Sequence, residues 1–149
     1  MPRTTGIHHV TSVAGSAQGN VDFYTGDLGL RLVKRTVNFD DPGTWHLYYG
    51  DRSGSPGTLI TFFPWQGIHG GRRGVGETAA TAYSVPASSL AGWATSLGVD
   101  REPTERFGEP VLSLRDTDGS SIEIVGEDPS LAEGPRPAAE SDIRGFHSV

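Results

Sequence analysis

The chain has 149 residues, 35% of them hydrophobic and 21 of them glycine, with 12 basic against 18 acidic side chains for a formal charge of −6. That composition excludes a disordered chain and suits one packed domain, and the acidic balance argues against a nucleic-acid or anionic-membrane partner. The absence of cysteine excludes a disulfide frame, a thiolate metal site and a cysteine nucleophile, and with no long apolar run and no apolar leader the expected compartment is the cytoplasm.

In chain order, GIHHVTSVAG at 6–15 predicts a short strand. Ser16 is placed to cap a helix on which Val21, Tyr24 and Leu28 fall at i, i+3 and i+7, one apolar face. That helix is expected to stop at Leu28-Gly29, where glycine supplies the left-handed conformation. Strands are predicted over 30–38, 44–49 and 58–63, the last two joined by the turn DRSGSPG. The run HGGRRG at 69–74 lacks the spacing of a phosphate loop and reads as a link.

The pattern then repeats. TAATAYSVPA at 78–87 predicts a strand, Ser88 a cap, and Leu90, Trp93 and Leu97 a helix ending at Leu97-Gly98. A weak edge strand near 101–107 precedes strands over 110–114 and 121–125, which flank the turn DTDG. Two strand–helix–three-strand segments, about 6–65 and 78–127, give an α+β fold of two βαβββ repeats. Each helix is expected to cover one sheet face, leaving the other faces to form a concave ligand surface. A Pro/Ala/Glu/Gly-rich linker follows over 129–142, and GFHSV within 143–149 repeats GIHHV as the first strand of a third unit.

Alternation along these strands sorts the candidate chemistry. His8 and His9 point to opposite faces. Trp45, Leu47 and Tyr49 are expected toward the helix, which leaves His46 and Tyr48 for the cup, suited to general acid or base work on a phenolic oxygen. Glu123, between Ile122 and Ile124, faces away from the core. Phe62 and Trp65 are candidate aromatic contacts for a ring-shaped substrate. Neither G-x-S-x-G nor H-E-x-x-H occurs, so serine-hydrolase and zincin readings have no support.

The duplicated βαβββ plan, opened by GIHHVT and closed by DTDGSSIEI, resembles the vicinal oxygen chelate superfamily of glyoxalases, bleomycin-resistance proteins and extradiol dioxygenases. Within it, GIHHVTSVAG and NFDDPGTWHLYYGD are similar to the hydroquinone-type ring-cleaving dioxygenases, which are about twice this length with four such units. The resemblance implies residues 1–128 as a vicinal oxygen chelate domain and cleavage of a hydroquinone- or catechol-like aromatic by dioxygen. It implies Fe(II), sometimes Mn(II), held by two histidines and a glutamate. It puts the first-unit ligand on His9, with His8 in support and Thr11 beside it, and in glyoxalase-like relatives a ligand on Glu123. The repeat comparison sets Ile60 against Glu123, and sets Ala80 and Ser148 where the first unit has His9, so a second histidine ligand is missing. A homodimer, or a partner half-enzyme, is expected; a homodimer can set His9 of one chain against Glu123 of another but supplies no second histidine, which a partner half-enzyme would bring. The alternative is a metal-free protein of the resistance type that binds an aromatic ligand.

Overall fold

The computed structural model describes residues 6–72, 74–128 and 143–149, so the expected linker over 129–142 lies outside the described residues. The first unit comprises β1 (His9–Ala14), α1 (Ala17–Asp22), β2 (Arg31–Val37), β3 (Trp45–Gly50) and β4 (Leu59–Pro64). The second comprises β5 (Thr81–Pro86), α2 (Leu90–Ser96), β6 (Thr104–Arg106), β7 (Glu109–Arg115) and β8 (Ser121–Glu127), and β9 (Gly145–Ser148) follows. One sheet runs β1-β4-β3-β2 and the other β6-β7-β8-β5-β9. In each unit the opening strand pairs in parallel with the closing one, β1 with β4 and β5 with β8.

The first helix forms as expected at its start, with the Ser16 hydroxyl accepting from the Gly19 N–H. Its second half is not α-helical. Phe23–Asp27 is a wider π-helical turn, closed by the Leu28 N–H on the Phe23 carbonyl at 3.1 Å, which buries Phe23 and Tyr24 together. Gly29 and Gly98 both take the left-handed conformation, φ 64° and 61°, as the two Leu-Gly endings require. Ser88 is not the second cap: it sits inside a 3-10 turn over Ala87–Ser89, and the Ser89 hydroxyl donates back to the Pro86 carbonyl.

The apolar faces of both units merge in one core. Tyr24, Tyr49, Phe62 and Ile60 from the first unit join Tyr83, Val85, Leu112, Ile122 and Ile124 from the second. Burial of each such side chain stabilises the fold by roughly 1.5–3 kcal/mol. Polar bonds bridge the units as well: the Tyr24 hydroxyl donates to Asp116 Oδ2 at 3.0 Å and the Gly15 N–H to Asp118 Oδ1 at 2.9 Å. Burial, with Asp116 beside it, holds the Tyr24 phenol far above its usual pKa, so it remains a donor. β9 adds a third tie, with the Phe146 N–H on the Gly57 carbonyl at 2.7 Å and the Gly57 N–H on the His8 carbonyl at 2.8 Å. Among the described residues no helix is long and apolar enough to cross a membrane.

Candidate functional site

The first sheet has one face in the core and one open. β1 turns Val10 and Ala14 to the core and His9, Thr11 and Val13 away from it. The register sets Thr61 beside both Thr11 and Tyr48, Phe63 beside Val13, and Lys34 beside Tyr48. His9, Thr11, Thr61, Phe63, His46, Tyr48 and Lys34 therefore share the open face. His46 and Tyr48 lie there as alternation predicts, while Leu47 and Tyr49 are buried behind them. Trp45, expected in the core with those two, is 47% exposed at the strand's start, with the Arg35 guanidinium over its ring.

These side chains form a hydrogen-bonded row. The Tyr48 hydroxyl lies 2.9 Å from His46 Nδ1, His46 Nε2 lies 3.0 Å from Thr61 Oγ1, and the Thr61 hydroxyl donates to Thr11 Oγ1 at 3.0 Å. Thr61 has a single hydroxyl proton and gives it to Thr11, so His46 donates from Nε2 and accepts from Tyr48 at Nδ1. The row therefore ends on the Thr11 proton, one strand repeat from His9. His46 is tucked between the rings of Tyr48 and Phe63, with centroids 4.1 and 4.0 Å away. Burial, reinforced by the charges of Lys34 and His9, lowers its pKa and favours the neutral ring that the row needs.

His8 and His9 do not separate onto opposite faces. His8 precedes the strand, both rings are exposed, and they meet edge-on with their Nδ1 atoms 3.1 Å apart. Phe62, an expected pocket aromatic, is 1% exposed in the core against Tyr24, and Phe63 takes the open face instead. Trp65 lies just beyond β4, half exposed, with its indole N–H on Thr44 Oγ1 at 3.0 Å.

The second sheet treats its non-core face differently. Glu123 does point away from Ile122 and Ile124, lying beside Ala82 and Ser113. Its carboxylate is engaged, however, by both terminal nitrogens of Arg106 on the edge strand β6. Ala82, Val111 and Val125 form a small separate apolar cluster on this sheet, and His147 Nε2 meets Glu109 Oε2 at 3.0 Å. Ser148 lies beside Ala82 on β9. Among the described residues no three His, Cys, Asp or Glu side chains gather as a metal would require.

The register corrects one repeat equivalence. Thr61 stands beside Thr11 just as Glu123 stands beside Ala82, so Thr61 rather than the core residue Ile60 is the first-unit counterpart of Glu123. Thr61, Phe63 and Lys34 were missed from the sequence, although the parity of Ile60 and Phe62 carries the signal for the first two.

Known proteins share this architecture. MhqO of Bacillus subtilis, provisionally named a ring-cleaving dioxygenase, is 52% identical over 126 residues, covering 83% of this chain and 40% of that protein. The chlorohydroquinone/hydroquinone 1,2-dioxygenase of Sphingobium indicum is 40% identical over 158 residues, covering 98% of this chain and 49% of that protein. A Bacillus subtilis crystal structure with a provisional dioxygenase name superposes with a TM-score of 0.84 at 45% identity, covering 98% of this chain and 49% of that one. The chain thus spans about half the length of the curated relatives it matches. Residues 6–124 match the family model, and the chain belongs to the Glyoxalase/Bleomycin resistance protein/Dioxygenase superfamily.

Proposed function

We propose that the chain forms one wall of the active site of a ring-cleaving dioxygenase that acts on a hydroquinone- or catechol-type aromatic. In this reading His9 is one ligand of an Fe(II) or Mn(II) centre whose remaining ligands come from outside these 149 residues. The observation that carries the proposal is the row Tyr48–His46–Thr61–Thr11, lying on the open face beside an exposed His9. Identity to proteins named for ring cleavage, one of them for hydroquinone, supports the substrate class.

Each side chain has a stated part. His8 engages Nδ1 of His9 and leaves Nε2 free for a metal, the usual division of labour in a ligating imidazole. A bound metal of this kind supplies Lewis acidity and open positions for oxygen ligands. Thr11 offers its proton to a phenolic oxygen of the substrate, and the row behind it can shift protons in the same sense from Tyr48 outward. The rings of His46, Tyr48 and Phe63 present an aromatic layer for a planar substrate. Glu123 is not placed among the ligands, because Arg106 already holds both of its oxygens. The described residues therefore do not complete a metal site alone.

Anaerobic Fe(II) titration by calorimetry tests this on the chain beside His9→Ala and Glu123→Ala. With one ligand of the centre present, the chain should give a weak heat, lost in His9→Ala and retained in Glu123→Ala. Binding indifferent to His9→Ala overturns the assignment. A second reading, a metal-free protein that binds an aromatic ligand, is favoured by the hold of Arg106 on Glu123. It predicts hydroquinone binding that survives both a chelator and His9→Ala.

A further inference from the structure

We infer that Lys34 is the anion-recognising residue of the open face, and that the preferred ligand is an aromatic ring bearing a carboxylate. The inference rests on the reading of that face as an aromatic site and adds the ligand's charge. Lys34 is the only lysine in the chain, against eleven arginines. It leaves β2 opposite Tyr48, and its ammonium sits 5.2 Å from the centroid of the Tyr48 ring. That holds the charge at the border of the aromatic layer made by Tyr48, His46 and Phe63.

Among the described residues this charge has no counter-ion. Among the described residues the ion pairs are Arg106 with Glu123 and His147 with Glu109, both on the second sheet. The other polar groups of the first face are threonine hydroxyls, imidazoles and a phenol, none of them an anion. A protein of net charge −6 thus carries, on this face, a lone ammonium beside stacked rings. A cationic aromatic is repelled there, and a neutral one leaves the ammonium unpaired. A ring carboxylate gains a charge-assisted hydrogen bond while the ring keeps its stacking surface. Lysine suits this role, as a flexible point charge able to follow a substituent at more than one ring position.

The test uses the full chain in chelator-treated buffer, with hydroquinone and its carboxylated form, gentisate, as probes. Reductive dimethylation keeps the lysine's charge and gives Lys34 the only side-chain amine resonance, so NMR titration reads Lys34 and the His46 ring together. Gentisate is expected to bind about 10-fold more tightly than hydroquinone, the usual worth of one charged hydrogen bond. It should shift the Lys34 methyl signal where hydroquinone does not. Lys34→Met should abolish the preference, and Lys34→Arg should retain it. Equal affinities in the wild type, or a preference that survives Lys34→Met, overturn the inference alone. Failure of both ligands to perturb His46 overturns the inference together with the aromatic-site reading beneath it.

Discussion

The two sheets use the same register for opposite ends. Position for position, Thr11 and Thr61 in the first correspond to Ala82 and Glu123 in the second. On the first face the polar groups bond along a row that ends in an available hydroxyl beside an exposed histidine. On the second, the one carboxylate in the matching place is neutralised by Arg106, and Ala82, Val111 and Val125 are buried beside it as a separate apolar cluster. Both units keep their core faces, because those faces build one common interior. Duplication has therefore left only the outward faces free to diverge, and one has kept donors and acceptors in reach of a ligand while the other has satisfied its own.

The sharpest way to break this comparison is inside one strand. Phe62→Ala should destabilise the protein by about 3–5 kcal/mol in urea or thermal unfolding, whereas Phe63→Ala should cost well under half of that. Equal losses would mean that the two faces of β4 are not divided into core and site. Next in size, Tyr24→Phe removes the donor to a buried carboxylate and should cost about 1–3 kcal/mol. Combined with Asp116→Asn in a double-mutant cycle it should show clear coupling, since the bond joins the two units. Arg106→Ala should change stability by no more than about 1 kcal/mol, because the guanidinium is largely solvated. The same variant releases Glu123, and any Fe(II) heat that it adds should disappear on Glu123→Ala.

The smallest effect is a titration. His46 should titrate below the free imidazole value of about 6.5 by NMR, and Lys34→Met should move its midpoint upward by removing one of the like charges. The folded protein takes up this proton less readily than the unfolded chain. Stability is therefore fullest above the free imidazole pKa and declines as the solution is acidified through it. An unchanged midpoint in Lys34→Met would separate Lys34 electrostatically from the row.

Much of this was legible in the sequence, and two of the misses share a cause. The Leu-Gly endings, the alternation of β3 from His46 to Tyr49 and the outward turn of Glu123 follow from local rules, and they hold. The shared Ser-Val at Ser12-Val13 and Ser84-Val85 invites an alignment of the units that is one residue out. Val13 lies on the open face of its sheet, and Val85 lies in the core. A slip of one residue exchanges the faces of a strand, and the match of Ile60 with Glu123 is such a slip, since Ile60 lies in the core and Glu123 points away from it. Two adjacent phenylalanines in β4 posed the same problem, since alternation alone does not say which of them the core takes. The partner of Glu123 was illegible for another reason: Arg106 sits on a three-residue edge strand, exposed throughout, with no apolar pattern to announce it.

The parallel pairing of β1 also has a kinetic consequence. Its strand partner β4 lies about fifty residues downstream, and Gly57, in the loop just before β4, reaches the His8 carbonyl across a similar span of chain. Contacts so distant in sequence close late, because the entropy of the intervening loops opposes them until other structure has shortened the path. The helices and the β2–β3 and β7–β8 hairpins can form from neighbours, but the histidine end of β1 has none. Within these residues β1 is then among the last strands to reach its place, and in a pulse-labelling experiment its amides should gain protection after those of either hairpin.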